Sequence, residues 1–175
     1  MSNAIYAALA RQTGLMNEMQ VVANNIANAS TTGYKSDRAV FAEFIAGGRN
    51  NLSDLSMGSL AGHSFNMEQG GLRMTGGRLD LAVQGDGFFL IETPQGQMLT
   101  RAGHFQLNEQ GEVIDSAGNR VLNAGGAPIT IPQEATNFMI AADGTISADG
   151  PLIGQLGLVV PAGALGRSSG TMFAA

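Results

Sequence analysis

The side chains that could carry out chemistry are few, and they stand apart from one another along the chain. The two histidines are His63 and His104, and neither has a second ligand at the spacing that a metal site requires. The stretch "GHSFN" around Ser64 resembles a nucleophile elbow, except that Asn66 replaces its last glycine and no strand-turn-helix pattern surrounds it. We therefore expect neither a metal site nor a serine nucleophile.

Three further patterns have an ordinary explanation as turns. Gly85-Asp86-Gly87 begins like a dinucleotide-binding fingerprint, but Leu90 stands where the third glycine belongs and no helix follows. Asp143-Gly144 lacks the alternating carboxylates of a calcium loop. Asp80 and Asp86 could form a carboxylate pair, although capping of turns is the ordinary use of such residues. The sequence thus predicts no enzyme activity, no catalytic residue and no cofactor.

The charge and composition exclude several classes of partner. Charged residues make up 13 % of the 175 residues, about half the usual share, and the 25 glycines are roughly double the average. The formal net charge is −5 and Lys35 is the single lysine, so the basic surface that nucleic acids or anionic lipids require is missing. Many turns and a surface suited to contact with other proteins are expected instead.

Cysteine is absent, which excludes disulfides and thiolate metal sites. No apolar run approaches the ~18 residues of a membrane span, and the first residues lack the basic and apolar regions of a cleavable signal. If the protein leaves the cytoplasm, we expect another export route.

Residues 3–29 show the period of an amphipathic α-helix. Apolar residues recur at alternating steps of three and four, as on the contact seam of a coiled coil, with a second row beside them. Arg11 and Glu18 are the only charged residues before Lys35, so we expect neighbours to cover more than one face of this helix. The seam and the adjoining row comprise Ile5, Leu9, Gln12, Met16, Met19, Ala23 and Ile26, flanked by Ala8, Leu15 and Val22.

The rest of the chain changes from an irregular segment to a regular β pattern. Residues 36–77 hold no sustained period, which predicts an extended arm with one or two short strands near 40–45 and 63–67. From residue 79 the period becomes two, with turn signals about every ten residues. Two strands are expected around the Gly85–Gly87 turn, and a last strong strand over 154–160. The fold class is therefore mainly β: an N-terminal amphipathic α-helix, an extended arm and an antiparallel β sandwich or irregular barrel.

The stretch "ANNIANASTTGYK" stacks three asparagines where the predicted helix ends. The last carbonyls of a helix lack intrahelical partners, and amide side chains can donate to them or bridge to a neighbouring chain. Asn28 or Gly33 can adopt the left-handed conformation that ends a helix. A simple polar helix stop explains one asparagine well and three poorly.

Two blocks of sequence resemble one known family. "NNIANASTTGYK" resembles the N-terminal signature of the bacterial flagellar rod and hook proteins, and it supplies Asn24, Asn25, Asn28, Thr32, Gly33, Tyr34 and Lys35. A second block, within residues 69–122, contains "LDLAVQGDGFF" and "TRAGHF" and resembles the same family. Its matching positions are Leu79, Asp80, Gly85, Gly87, Phe88, Phe89, Thr100, Arg101, Gly103 and Phe105.

The resemblance implies a structural subunit of the flagellar basal-body rod, most similar to its proximal-rod members. The alternatives are a distal rod or other flagellar axial protein, and a β-type ligand-binding module. It further implies that residues 1–29 form a helix of the inner tube, 30–77 a linker arm and 78–175 an outer β-domain. The partners would be other rod subunits and copies of the same chain, with no nucleic acid and no small-molecule substrate. The protein would be exported by the flagellar type III apparatus and would cross the periplasm within the rod.

The resemblance also implies contacts between chains at the asparagine cluster. Members of this family end in a second amphipathic helix that pairs with the first. This chain stops at "GRSSGTMFAA", about where that helix should begin. We therefore expect the C-terminal helix to be absent, and the first helix to be unfolded or packed on another copy.

Overall fold

A computed structural model describes residues 2–46, 55–135, 137–163 and 165–174 of the chain. The chain forms two compact units. The first, which we call the helix–hairpin unit, consists of Met1–Thr31 and Lys35–Met67. The second, which we call the β-domain, consists of Thr32–Tyr34 and Glu68–Ala175. Residues 47–54 of the predicted arm lie outside the described residues.

The helix–hairpin unit contains one helix and one two-stranded ribbon. Helix α1 spans Ser2–Ala27, which confirms the predicted helix and ends it two residues before position 29. Strands β1 (Asp37–Ala46) and β2 (Leu55–Phe65) pair antiparallel, with a bulge between Val40 and Phe41. These strands are longer than the short ones expected from the sequence, and both are in contact with α1.

The β-domain is built from short antiparallel strands in two open sheets. The strands are β3 (Phe88–Thr93), β4 (Gly96–Thr100), β5 (Phe105–Leu107), β6 (Val113–Asp115), β7 (Arg120–Val121), β8 (Phe138–Ile140), β9 (Thr145–Ala148), β10 (Leu152–Gln155), β11 (Leu158–Val159), β12 (Gly166–Ser169) and β13 (Met172–Ala174). The eight-stranded sheet has the order β12-β13-β4-β3-β7-β6-β5, with β11 paired to β3, and the three-stranded sheet has the order β10-β9-β8.

One apolar core joins both sheets of the β-domain. Ile91 from β3 and Ile146 from β9 are fully buried in the same cluster. Phe89 and Phe105 meet there edge to face, with ring centroids 5.1 Å apart. Such a pair adds about 0.5–1.5 kcal/mol to the burial of its apolar area. The core therefore holds together strands that are far apart in the sequence.

The predicted mainly β fold with an N-terminal helix is confirmed, while three details are different. The described strands do not close into a barrel. The prediction of a strand before Gly85 is wrong, because Asp80 makes only an isolated bridge to His104. The strand expected over 154–160 is interrupted at Leu156, which bridges to Asn123 between β10 and β11. The backbone changes partners at this point: the Leu156 N–H donates to the Gly144 carbonyl oxygen at 2.8 Å, whereas the Gly157 N–H donates to the Leu122 carbonyl oxygen at 2.9 Å.

Candidate functional site

The predicted seam of α1 faces solvent along its whole length. Its exposed fraction ranges from 49 % at Val22 to 71 % at Met19 and Ile26. The exposed members are Ile5, Leu9, Gln12, Leu15, Met16, Met19, Val22 and Ile26. Soluble proteins seldom expose a contiguous apolar surface of this size unless it contacts a partner.

A different face of α1 is the one that the chain covers. Val21 is 8 % exposed, and it is the single described residue of the helix in the buried core. Gly14, Asn17 and Asn25 lie at helical spacing from it and are half-buried. Sequence reasoning missed this stripe because it is made of small and amide side chains, although their recurrence every three or four residues was visible.

The asparagine cluster makes hydrogen bonds within the chain. Asn25 acts as a backbone mimic: its amide donates to the Asp37 carbonyl oxygen at 2.8 Å, and its Oδ1 accepts from the Asp37 N–H at 2.9 Å. This exchange fixes the start of β1 against the helix. Asn28 donates to the Asn24 carbonyl at 2.9 Å and accepts from the Thr31 hydroxyl, which caps the end of α1. The contacts between chains expected here stay a prediction.

The Thr-Gly-Tyr part of the first signature belongs to the β-domain. Gly33 has φ of +75°, and a Cβ at this position would lie 2.3 Å from the Ala102 backbone nitrogen. The Tyr34 ring lies under the Arg167 guanidinium, 4.5 Å from its centroid. Lys35, the next residue, belongs to the helix–hairpin unit and donates to the Met67 carbonyl oxygen at 3.2 Å. Thr32 is exposed.

The second signature forms much of the β-domain core. Phe88, Phe89, Thr100 and Phe105 are each at most 3 % exposed. Its glycines permit close packing, most clearly Gly103, where a Cβ would lie within bonding distance of the Leu81 carbonyl oxygen. Leu79 packs against the core at partial exposure. Gly85 turns the chain with φ of +98°, and Gly87 lies close to Val83.

Arg101 is the buried cation of that signature. Its guanidinium lies 4.6 Å from the centroid of the Phe88 ring and donates to the Gly85 carbonyl oxygen at 2.6 Å and to Gln69 Oε1 at 3.4 Å. Burial lowers the pKa of Arg101, and the negative charge of Asp86 opposes that shift. The side chain stays protonated and ties the Gly85 turn to the end of β4.

A shallow cleft of about 450 Å³ on the β-domain contains a histidine–carboxylate pair that sequence reasoning missed. His104 Nδ1 lies 2.5 Å from Asp80 Oδ1, and the Thr75 hydroxyl donates to Asp80 Oδ2 at 2.6 Å. The Thr75 hydrogen bond and then His104 hold the pKa of Asp80 below its ordinary value. Arg78 and Phe138 lie on the same cleft, and the guanidinium donates to the Phe138 carbonyl oxygen at 3.0 Å.

The order of groups in this cleft does not match a nucleophilic triad. In a triad the imidazole stands between hydroxyl and carboxylate, whereas here the carboxylate of Asp80 stands between Thr75 and His104. The Thr75 hydroxyl therefore donates to the carboxylate of Asp80 and not to the imidazole of His104. Among the side chains that the structure describes, no group of three or more His, Cys, Asp or Glu residues is placed to hold a metal ion.

The helices in the described ranges include none with the length and apolarity to cross a membrane. A helix that exposes an apolar seam, together with a β-domain that buries its signature, defines a protein of the assembly-forming class. Residues 5–35 match the profile of the flagella basal body rod protein, and residues 82–148 match that of the flagellar hook protein FlgE/F/G D1 domain. The chain belongs to the flagellar basal-body rod protein family.

Three relatives illustrate the similarity. The chain is 37 % identical over 161 residues to the flagellar basal-body rod protein FlgF of Mesorhizobium japonicum, with 90 % of the chain and 65 % of the relative covered. It is 38 % identical over 164 residues to FlgF of Caulobacter vibrioides, covering 92 % and 67 %. It is 35 % identical over 181 residues to the rod protein FlgG of Bacillus subtilis, covering 91 % and 67 %. The chain thus spans about two thirds of the length of these relatives.

Proposed function

We propose that the chain is a structural, non-enzymatic subunit of the bacterial flagellar basal-body rod, of the proximal type, that polymerises into the axial drive shaft. Its partners are other rod subunits and copies of itself, and its location is the basal body, where the rod crosses the periplasm. Export proceeds through the flagellar type III apparatus. The FlgF relatives are 37–38 % identical and the FlgG relatives 34–35 %, which supports the proximal type over the distal one.

The exposed seam of α1 is the observation that carries this proposal. Met16 and Met19 are 63 % and 71 % exposed, although each would gain stability from burial. Burying the seven apolar seam residues against neighbouring subunits would contribute on the order of 10 kcal/mol before the cost of association. The covered face of α1 is the small and polar one around Val21, so the apolar seam remains available for a partner.

We further propose that three segments of the chain have different structural roles in the rod. Residues 1–29 contribute the helix of the inner tube, residues 30–77 the linking arm, and residues 78–175 the outer β-domain. The two-stranded ribbon β1–β2 lies within that arm. The coiled-coil pairing of α1 and the contacts between chains at Asn24, Asn25 and Asn28 are part of the same proposal.

Electron microscopy of hook-basal bodies in cells deleted for the gene tests this function. We expect the particles to be lost and to return when the intact gene is supplied. A gene encoding Met16→Lys and Met19→Lys should not restore them, because two charges would be buried at the subunit contact. Met139→Lys serves as the matched control, since Met139 is 70 % exposed on the β-domain.

The outcomes separate the alternatives. Normal numbers of particles in the deletion strain would contradict a rod function. Restoration by the double lysine variant would show that the seam is not the assembly surface. A ligand-binding β module predicts that the deletion leaves the particles intact.

A further inference from the structure

We propose that the β-domain carries a recognition site for a glycine–aromatic segment, occupied in this structure by Gly33 and Tyr34, and that Arg167 determines its specificity. The proposal does not depend on the rod function. It rests on three residues, Thr32–Tyr34, that belong to the β-domain although the chain on both sides of them belongs to the helix–hairpin unit. We call these three residues the strap.

The glycine position of the strap leaves no room for a side chain. A Cβ on Gly33 would lie 2.3 Å from the Arg101 carbonyl carbon and 2.5 Å from its oxygen. These atoms belong to a backbone and cannot move aside as a flexible side chain would. The φ of +75° adds a conformation that non-glycine residues rarely adopt. The site thus selects glycine for two independent reasons.

The Arg167 guanidinium contacts the aromatic residue of the strap, Tyr34. Arg167 lies 4.5 Å from the Tyr34 ring centroid on one side and 5.6 Å from the Phe173 ring centroid on another. Arg167 and Phe173 are direct cross-strand partners in the β12–β13 pair, so the backbone pairing sets their spacing. Arg167 attracts an aromatic face electrostatically, and an aliphatic side chain would lose that attraction.

The two halves of the site are joined through the core. Phe173 is fully buried and meets Phe88 edge to face at 5.7 Å, and Phe88 lies under Arg101 at 4.6 Å. Arg101 is also the residue against which Gly33 is pressed. A continuous series of contacting rings and guanidinium groups therefore runs from Tyr34 to Arg101, and the strap contacts both ends of it.

A separable recognition site can release its segment without unfolding the domain that binds it, and this is what an experiment can measure. Hydrogen exchange followed by mass spectrometry reports on the amides of residues 32–34 and, in the same sample, on the core amides of Ile91 and Val121. The Arg167→Gln variant should raise hydrogen exchange of the strap amides roughly tenfold, because the cation–π contact with Tyr34 is lost. Core exchange should not change.

A fluorescence measurement gives an independent readout. The protein has two tyrosines and no tryptophan, so Tyr6→Phe leaves Tyr34 as the single fluorophore. In that background, Arg167→Gln should increase quenching of Tyr34 by acrylamide, because the ring leaves the guanidinium. Arg167→Lys should give an intermediate increase, since an ammonium keeps the charge but lacks the planar stacking surface.

Matched variants separate recognition from general destabilisation. Arg120→Gln removes an exposed arginine that pairs with Glu92 elsewhere on the domain, and it should leave the strap protected.

Gly33→Ala should release the strap. Gly118→Ala should not, because the Cβ position of Gly118 is open, although this residue also has positive φ. Tyr34→Phe should keep the strap bound, and Tyr34→Leu should release it.

Two results would overturn the proposal. Unchanged strap exchange in Arg167→Gln and Gly33→Ala would show that neither residue holds the segment. A parallel rise in strap and core exchange would show that these residues only stabilise the whole β-domain.

Discussion

The two units of the molecule treat apolar side chains in opposite ways. In the β-domain, Ile91 and Val121 are completely buried, and Phe89 and Phe105 of the signature meet edge to face in the same core. In α1, Met19 and Ile26 are about seven-tenths exposed, while small and amide side chains form the covered face. The β-domain therefore buries its apolar residues within the chain, whereas the helix leaves its apolar seam exposed. A substitution should alter folding in the first region and association in the second.

The largest effect on folding is expected for Phe89→Ala. The side chain is 1 % exposed and packs edge to face on Phe105, so its removal leaves a cavity in the shared core. We expect a loss of about 3–5 kcal/mol in the free energy of unfolding, measured by urea denaturation followed by circular dichroism. A loss similar to that of a surface residue would show that this core does not hold the two sheets together.

Gly103→Ala should destabilise the β-domain nearly as much. The added methyl group would overlap the Leu81 carbonyl oxygen. The backbone cannot shift to make room without breaking the hydrogen bond of 2.7 Å that the Leu81 N–H donates to the Gly103 carbonyl oxygen. We expect a cost of about 3 kcal/mol by the same measurement. Gly163→Ala, where the Cβ position is open, is the matched control and should be nearly neutral.

Asn25→Ala should weaken the helix–hairpin unit by about 1–2 kcal/mol, because it leaves the Asp37 N–H and carbonyl without their amide partner. Hydrogen exchange of the Asp37 amide is the measurement, since a local change of this size increases exchange there and not in the β-domain. Asn24→Ala, one residue away and exposed, is the control. Equal exchange in the two variants would contradict a structural role for Asn25.

The same pair sharpens the assembly hypothesis for the asparagine cluster. If Asn24 contacts a neighbouring chain, Asn24→Ala should reduce the number of hook-basal bodies while leaving the unassembled protein unchanged. If only the contacts within the chain matter, Asn25→Ala alone should reduce it.

Changes in the exposed seam should have almost no effect on the folding of the isolated chain. Met19→Ser removes an apolar side chain that is 71 % exposed, so we expect a change within about 0.5 kcal/mol. The same variant should lower the yield of hook-basal bodies. A large loss of folding stability would show that the seam of α1 packs within the fold of the isolated chain.

The smallest effect concerns acid stability. The pKa of Asp80 is lower in the folded protein than its ordinary value, so ionised Asp80 stabilises the fold above about pH 4 and this contribution is lost as pH falls through the folded pKa. We expect Asp80→Asn to make the urea midpoint less dependent on pH below about pH 4. Thr75→Ala removes the largest cause of the shift and should act in the same direction. An unchanged pH profile in both variants would contradict the contact.

Patterns that depend on neighbouring residues could be read from the sequence. The alternation of three and four residues predicted α1, and the turn signals predicted a domain of short antiparallel strands, because helix period and turn conformation are set locally. The two signature blocks identified the family for the same reason, since each is a continuous stretch. The formal net charge of −5 and the single lysine, Lys35, predicted from the sequence alone that nucleic acid is not a partner.

Tertiary structure decided what depends on distant parts of the chain. The scarcity of charge in α1 predicted that neighbours cover more than one of its faces, but it did not show which face the chain itself covers. The ribbon β1–β2 contacts the helix, and the face bonded to Asp37 is the one with Asn25. Two contacts join residues far apart in sequence: the Asp80–His104 pair, which lies where a strand was predicted, and the close approach of Gly33 to Ala102. Such contacts form only when the whole core assembles, because the energy that holds them comes from packing rather than from local backbone preference.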